Sequence, residues 1–268
     1  MPLILYRVSK RLIFLCVIFL LVNTPAQASS LEEVLDIAER YGLANHPTWL
    51  KLLHYERGSK QSVVLTESFF LSPNGRSDPK AELIAIINAY FTPWGDNSDE
   101  HARCRFPARY YWLSQQLPLP NYNLREANCR SLEKWALLDS VKSVSMLLVS
   151  GYLGNPASTF GHGFLKLNTD SIDDQVGLFD LTLNYGALVP ENENTLFYII
   201  RGLSGGYEAG FSDKYFYTQD LVYSHTEFRD IWDYKLELTD YERTLLILHI
   251  WEIVGSKFTY YFLDKNCV

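Results

Sequence analysis

The chain has 268 residues, of which 47% are hydrophobic and 21% charged, so it is long and apolar enough to bury a sizeable core. This composition excludes an intrinsically disordered chain, and a formal net charge of −7 excludes a protein that coats nucleic acid through phosphate contacts. We therefore expect a folded protein of one or two domains without a nucleic-acid partner.

The first 28 residues have the pattern of a secretory signal peptide. Three basic residues precede an apolar run from Leu12 to Val22, which is shorter than the roughly 20 residues of a membrane-spanning helix. The small residues Ala26 and Ala28 follow with one residue between them, so we predict cleavage after Ala28. Cleavage changes the formal charge from −7 to −10 and leaves an exported, periplasmic chain. A retained N-terminal anchor is the alternative.

Residues 29–140 are predicted to be mainly helical. Ser30 and the glutamates after it have the pattern of a capping box, and Gly42 ends the helix that follows. Pro47 stands in the first turn of a second short helix, and Asp78 is the candidate N-cap of a third.

The hydrophobic period changes after residue 140, and we predict an α+β core over 141–268. Short apolar or alternating runs indicate strands; they lie at 143–154, 163–169 and 177–189. The segment 197–203 is too short for its period to decide, and the aromatic segment 214–238 favours β structure. Thr239 begins a helix that Gly255 ends.

The four cysteines reduce to one candidate thiol. Signal cleavage removes Cys16, and an oxidising compartment favours a disulfide between Cys104 and Cys129. Cys267 is then left without a partner, and an odd thiol in an exported protein raises the question of a reactive one.

A cysteine nucleophile needs a base within hydrogen-bond reach and a group that orients the base. His162 is flanked by two glycines directly before a predicted strand, which leaves room for close approach of a substrate. Asn184 and Tyr185, at the end of another strand, supply amide and phenol groups. Together with Cys267 these residues make a candidate thiol site, although they lie far apart in the sequence.

The order of these motifs resembles one bacterial family. Phe160-Gly161-His162 is followed by Asn184-Tyr185-Gly186 and then by the pair Asn266-Cys267, as in the Lnb N-terminal periplasmic domain family. The resemblance implies a circularly permuted papain-like (NlpC/P60-like) core of antiparallel sheet and helix. It also implies lipoprotein N-acyltransferase activity, in which an acyl chain passes from a phospholipid through a thioester to the amine of a lipoprotein.

On this resemblance Cys267 is the nucleophile and His162 is the general base. Asn184 or Tyr185 orients the imidazole or binds the oxyanion, and the substrate is a phospholipid or lipoprotein at the membrane surface. None of the six histidines stands in a metal-binding motif, so no metal or cofactor is expected.

Papain-like folds place a helix after the nucleophile, whereas this sequence stops at Val268. We therefore expect the chain to be a fragment of a longer protein, whose missing part could associate with the membrane. Without a helix-forming continuation we expect no activity, because the helix N-terminus stabilises a thiolate and an oxyanion.

Two other interpretations stay open. The segment 202–206 fits the G-x-S-x-G elbow of a serine hydrolase with Ser204 as nucleophile, and Asp213 or Asp220 and then His225 or His249 follow in hydrolase order. A glycine-rich stretch follows the elbow, however, where a helix is expected. The second alternative is a non-catalytic binding or structural module of the envelope, in which the many tyrosines and tryptophans serve recognition. A reactive Cys267 favours the enzyme, and an inert, buried thiol favours the module.

Overall fold

The structure is a computed structural model, and it describes residues 30–119, 129–153, 161–169, 177–190 and 193–260. Within these ranges the chain forms nine α-helices and one six-stranded antiparallel sheet, which confirms the predicted α+β class. The predicted signal peptide and Cys267 lie outside the described residues.

In the described chain, six helices precede the first strand: α1 (Leu31–Arg40), α2 (Pro47–Leu52), α3 (Pro79–Tyr90), α4 (Ala102–Arg105), α5 (Pro107–Leu113) and α6 (Arg130–Ala136). The first three begin where the sequence predicts. The Ser30 hydroxyl accepts a hydrogen bond from an amide of the first turn of α1, and the Asp78 carboxylate accepts two from α3. These caps satisfy amide groups that have no partner inside the helix.

The sheet has the strand order β5-β1-β2-β3-β4-β6, and every neighbouring pair is antiparallel. Its strands are β1 (Val141–Val149), β2 (His162–Thr169), β3 (Leu181–Ala187), β4 (Tyr207–Tyr215), β5 (Ile231–Lys235) and β6 (Lys257–Tyr260). Three helices lie between strands: α7 (Thr195–Ser204), α8 (Phe216–Asp220) and α9 (Asp240–Ile253). A π-helix over 221–226 directly follows α8.

The two faces of the sheet pack against different parts of the molecule. Residues such as Val144 and Leu167 belong to the large core that also contains residues of α1 to α6 and of α9. Leu147 and Phe164, which point the other way because side chains alternate along a strand, form a smaller cluster with Phe216. We call the face that carries Leu147 and Phe164 the second face of the sheet.

Helix α9 begins and ends as predicted. The Thr239 hydroxyl accepts from the amide of Glu242, and the Glu242 carboxylate accepts from the amide of Thr239, which completes the capping box. Gly255, with φ of +82°, follows the end of the helix in the left-handed conformation that glycine tolerates best.

The β interpretation of the aromatic segment 214–238 is wrong in part. Residues 216–226 are helical, and only the ends of the segment belong to β4 and β5. Phe216 and Gln219 are three residues apart, so a helix places both on one side, and both are buried. Burial against the sheet outweighs the β-propensity of the aromatic residues, which is weak and depends on context. The undecided segment 197–203 lies in α7.

The predicted disulfide is present. Cys104 in α4 and Cys129 before α6 are bonded, with 5.3 Å between their Cα atoms. The bond links two helices of the front part across 25 residues of sequence.

A buried arginine links the front helices to α9. Arg109 in α5 lies 2.8 Å from the Glu82 carboxylate of α3 and 3.2 Å from that of Glu252 in α9, and all three side chains are fully buried. The other oxygen of Glu252 accepts from the amides of Ala108 and Arg109 at the start of α5. Burial raises the pKa of Glu82, and the Arg109 charge opposes that rise. The buried Arg109 cation and the two buried carboxylates therefore neutralise one another, and removing Arg109 would leave buried charges without a partner.

Two histidines extend this contact. His54 Nε2, from the segment after α2, lies 3.0 Å from His249 Nε2 on α9, and the rings are stacked. Burial, together with the nearby His249 and Arg109, lowers the pKa of His54 to about 3. We refer to Arg109, Glu82, Glu252, His54 and His249 as the buried polar network.

Candidate functional site

The pairing of β2 with β3 brings two of the predicted site residues together. Phe164 lies opposite Asn184, and His162 precedes Phe164 by two residues. Because side chains alternate along a strand, all three point to the second face of the sheet. His162 and Asn184 are thus diagonal neighbours in space, although 22 residues separate them in the sequence.

The glycine before the histidine has a steric reason. Gly161 has a φ of +93°, and a Cβ atom at this position would lie 2.6 Å from the carbonyl oxygen of Val149. A larger residue would push the start of β2 away from β1. Glycine at position 161 therefore allows β2 to pair with β1 from His162, which lies opposite Val149.

A hydrogen bond between His162 and Asn184 assigns the roles of the imidazole nitrogens. His162 Nε2 lies 3.2 Å from Asn184 Oδ1. With the amide in this orientation its oxygen only accepts, so Nε2 carries the proton. In the neutral ring Nδ1 is then the basic nitrogen, and it is the atom that can accept a proton from a nucleophile.

The surroundings keep this imidazole neutral near pH 7. Burial lowers the pKa of His162 below its ordinary value of 6.5, and the hydrogen bond to Asn184 opposes that shift. The positive charge of Arg229 lowers the pKa further. The rings of Phe164 and Tyr223 lie within about 6 Å of the imidazole and shield it from water. A half-buried, neutral histidine is suited to act as a general base.

Replacing Asn184 with aspartate should raise the pKa of His162 by about one unit or more, because a carboxylate beside Nε2 favours the charged imidazolium. An NMR titration of the imidazole signals measures this pKa. Tyr185→Phe is the matched control. The neighbouring Tyr185 side chain points away from His162, so loss of its hydroxyl should leave the titration unchanged. An Asn184→Asp variant that titrates like the original protein would contradict the contact.

Tyr185 lies on the face opposite to Asn184. Its ring packs in the large core, with centroid distances of 4.8 Å to Phe211 and 6.0 Å to Phe258. Of the two residues that the sequence offered as partners of the imidazole, Asn184 makes the contact. The alternation of side chains in β3 was the sequence signal that separates them.

The fold around Ser204 does not fit the serine alternative. Ser204 is the last residue of α7, and its hydroxyl donates to the carbonyl oxygen of Arg201 in the same helix. A nucleophile elbow has a strand before the serine and a helix after it, whereas here α7 precedes Ser204 and β4 follows. The predicted partners His225 and His249 lie 3.4 Å from Asp220 and 3.0 Å from His54, respectively.

Cys267 lies outside the described residues, as do Asn266 and Phe160. The described chain ends with β6, where Tyr260 pairs with Tyr207 at the start of β4. β4 in turn begins beside the end of β3, and that end of the sheet is where β2 starts. The last described residue, Tyr260, therefore lies at the same end of the sheet as His162.

Two residues near the imidazole were not found from the sequence. Arg229 is buried, and its guanidinium lies 4.9 Å from the ring centroid of Tyr223, which itself contacts His162. Both residues stand in the segment 214–238, where a charged residue between aromatic ones gives no sign of burial. Their place beside His162 depends on how that segment folds back onto the sheet.

The described residues contain neither a metal-ligand cluster nor a membrane-spanning helix. No group of three or more His, Cys, Asp or Glu side chains among them could hold a metal ion. None of the helices in these residues is both long enough and apolar enough to cross a membrane.

Comparison with known families gives two matches. Residues 131–268, just over half of the chain, match the family described as Lnb N-terminal periplasmic domain. Residues 41–116 match a domain of unknown function (DUF7843). No curated protein and no solved structure matches the chain.

Proposed function

The chain belongs to the Lnb N-terminal periplasmic domain family, which indicates an exported envelope protein. We propose that it transfers or hydrolyses acyl groups through a Cys–His site. Cys267 is the nucleophile, His162 the general base and Asn184 the positioning residue of the imidazole. The observation that supports these roles is the hydrogen bond from His162 Nε2 to Asn184 Oδ1, because it leaves Nδ1 basic in a half-buried, neutral ring.

The chain is long enough for Cys267 to reach His162. Three strand spacings, from β6 to β2, separate the two chain segments by about 14 Å across the sheet. Seven extended residues from Tyr260 to Cys267 span up to about 24 Å. They start at the end of the sheet that carries His162, so the contact requires no rearrangement of the described strands.

The first step forms a thioester. The thiol of Cys267 gives its proton to His162 Nδ1 while the sulfur bonds to the carbonyl carbon of an ester. The ester C–O bond then breaks, the imidazolium gives its proton to the departing alcohol, and the acyl group stays on sulfur. The lowered pKa of His162 helps this step, since a neutral imidazole can accept the proton.

The second step regenerates the thiol. An amine or a water molecule attacks the thioester carbonyl, His162 takes the proton from the attacking nitrogen or oxygen, and the proton returns to sulfur as the C–S bond breaks. An amine acceptor makes the reaction an acyl transfer, and water makes it a hydrolysis. We propose a phospholipid as the acyl donor and the terminal amine of a lipoprotein as the acceptor, as the family resemblance implies.

Alkylation of Cys267 with iodoacetamide tests the site. Cys104 and Cys129 are bonded to each other, so Cys267 is the thiol expected to react in the chain without its signal peptide. We expect the rate to follow an apparent pKa below the roughly 8.5 of an unperturbed thiol. His162→Gln should slow the reaction at pH 7 about tenfold or more, because the thiol loses the base that takes its proton.

The control for this experiment is His225→Gln, which removes an exposed imidazole from the same half of the protein and should leave the rate unchanged. The denatured chain supplies the rate of an ordinary thiol. If Cys267 in the native protein reacts no faster than in the denatured chain, and His162→Gln has no effect, the proposal is wrong and the envelope-module interpretation is preferred.

Mass spectrometry of the protein after incubation with phospholipid vesicles should also show an acyl adduct on Cys267 that Cys267→Ser lacks.

A further inference from the structure

Several connections of the described chain meet at the end of the sheet where β2 begins. β1 ends at Val149, opposite His162, and β5 starts opposite the same valine, while β3 ends beside the start of β4. We call this end the site end of the sheet; its described connections are 150–153, 188–190, 193–206 and 227–230. Because β1 and β3 are the two neighbours of β2, the connections that follow them lie on either side of His162.

Large apolar side chains protrude from all of these connections. Leu153, which follows β1, is 90% exposed, and Phe228, which precedes β5, is 85% exposed; among the described residues they are the most exposed large apolar side chains. Between β3 and β4 the exposed apolar residues are Leu188, Val189, Phe197, Ile199, Ile200 and Leu203. A surface that concentrates apolar side chains in this way marks a contact with another protein or with a membrane.

Helix α7 carries most of the apolar side chains of the site end. Phe197, Ile200 and Leu203 recur every third residue, so they lie along one side of the helix, and all three are more than half exposed. Glu193, just before the helix, is paired with Arg201 at 2.8 Å and accepts a hydrogen bond from the hydroxyl of Tyr207 at the start of β4. These contacts hold α7 at the site end, and the described residues leave its apolar side uncovered.

The site end has little net charge. Its described connections contain two arginines and three carboxylates, whereas the chain without its signal peptide has a formal charge of −10. Arg201 is paired with Glu193 and Arg229 with Glu227, each at 2.8 Å, so Asp230 is the remaining charge. Paired charges cost less free energy near an apolar phase than isolated ones. This end can therefore approach such a phase more easily than the rest of an acidic surface.

A lipid bilayer fits these features better than a folded protein partner does. A stable protein interface needs a continuous surface of complementary shape, whereas side chains on separate loops can each enter a fluid bilayer. An interfacial helix lies with its apolar side about 5 to 10 Å deep, at the boundary between the headgroups and the acyl chains. The ester carbonyls of a phospholipid lie at the same boundary.

We propose that the site end of the sheet docks on a phospholipid bilayer, with the apolar side of α7, Leu153 and Phe228 inserted at the boundary between headgroups and acyl chains. The inference rests on the proposed function and adds the surface through which the protein reaches its acyl donor. Leu153 and α7 lie on opposite sides of β2 in the strand order. Docking through both therefore brings His162, at the start of β2, close to the ester carbonyls.

Co-sedimentation of the exported protein with lipid vesicles tests this docking. We expect vesicles of phosphatidylcholine to bind the protein at least as tightly as vesicles that also contain phosphatidylglycerol, because anionic lipid repels an acidic chain. Raising the salt concentration to about 0.5 M should change the partition coefficient for phosphatidylcholine by less than about twofold, because salt screens charges and not apolar burial.

Three substitutions at separate points of the site end assign the contact. Leu153→Gln, Phe197→Gln and Phe228→Asn should each lower the partition coefficient about tenfold, because each removes one inserted apolar side chain. Asparagine suits position 228 because Phe228 has a positive φ of +53°. Phe179→Gln is the matched control; it removes an aromatic side chain that is 75% exposed at the opposite end of the sheet, and the partition coefficient should stay unchanged. All four side chains are exposed, so none of these substitutions empties the core.

An absence of binding to phosphatidylcholine vesicles, an unchanged partition coefficient in the three variants, or an equal loss in Phe179→Gln would each overturn the docking surface. A dimer that the three substitutions convert to a monomer would also overturn it, because a second copy would then cover the apolar side chains; size-exclusion chromatography measures this.

Docking does not need the thiol, so Cys267→Ser should bind vesicles like the original protein and separates the two proposals. Vesicle binding through the site end with an unreactive Cys267 contradicts only the proposed chemistry. A reactive, acylated Cys267 in a protein whose partition coefficient the three substitutions leave unchanged contradicts only this inference.

Discussion

Replacing Arg109 with methionine should lower the free energy of unfolding by about 3 to 5 kcal/mol, because it leaves the buried carboxylates of Glu82 and Glu252 without their counter-charge. The guanidinium also donates to the carbonyl oxygen of Phe69, and that acceptor loses its partner as well. Denaturation in urea, followed by circular dichroism, measures the change. An exposed salt bridge would contribute far less, so the size of the effect reports the burial.

Two controls make this prediction specific. Arg57→Met removes an exposed arginine from the front part and should change the stability by less than about 0.5 kcal/mol. Adding Glu82→Gln to Arg109→Met should recover part of the loss, since one of the two uncompensated charges disappears. A loss below about 1 kcal/mol for Arg109→Met would show that these carboxylates do not depend on Arg109.

Lowering the pH from 7 to 5 should destabilise the protein by about 2 kcal/mol through His54 alone. Burial, His249 and Arg109 lower the pKa of His54 to about 3 in the folded state, whereas the unfolded chain has the ordinary value of 6.5. Between these two values the unfolded state binds the proton and the folded state does not. Stability is therefore present above about pH 6.5 and is lost as the pH falls towards 3.

The effect is measured as a difference between two proteins. Glu82 has a raised pKa in the folded state and acts with the opposite sign at acidic pH, so the contribution of His54 is the part that His54→Asn removes. Asparagine suits the position because His54 has a positive φ of +56°. His225→Gln, at an exposed site, is the control and should keep the original pH dependence. Parallel pH curves for the original protein and His54→Asn would refute the prediction.

Features that depend on neighbouring residues were predictable. The caps at Ser30, Asp78 and Thr239 each bond to an amide two or three residues further along the chain, so a short sequence contains both partners. The disulfide between Cys104 and Cys129 followed from the small number of candidates in an oxidising compartment. The positions of β1, β2 and β3 followed from the apolar pattern, and β5 lies in the aromatic segment predicted as β structure. Most of β4 and all of β6 were not predicted, and the helix over 216–226 was missed because its aromatic residues fit either period.

The site was predictable in its residue types and less so in its geometry. His162 and Asn184 were identified as candidates, and alternation in β3 is enough to place Tyr185 on the other face. The contact itself depends on the register of β2 against β3, which a sequence pattern does not contain. Arg229 was missed because its burial results from a segment that folds back onto the sheet.

The sequence by itself determined the local elements, the α+β class and the chemical types of the candidate site, because capping, periodicity and residue chemistry act over a few positions. Only the tertiary structure decided which residue contacts the His162 imidazole and which charges are buried. Those properties arise from long-range contacts such as His162 with Asn184 and Arg109 with Glu252. Their energies depend on burial and on exact distances, and both are set by the packed chain as a whole.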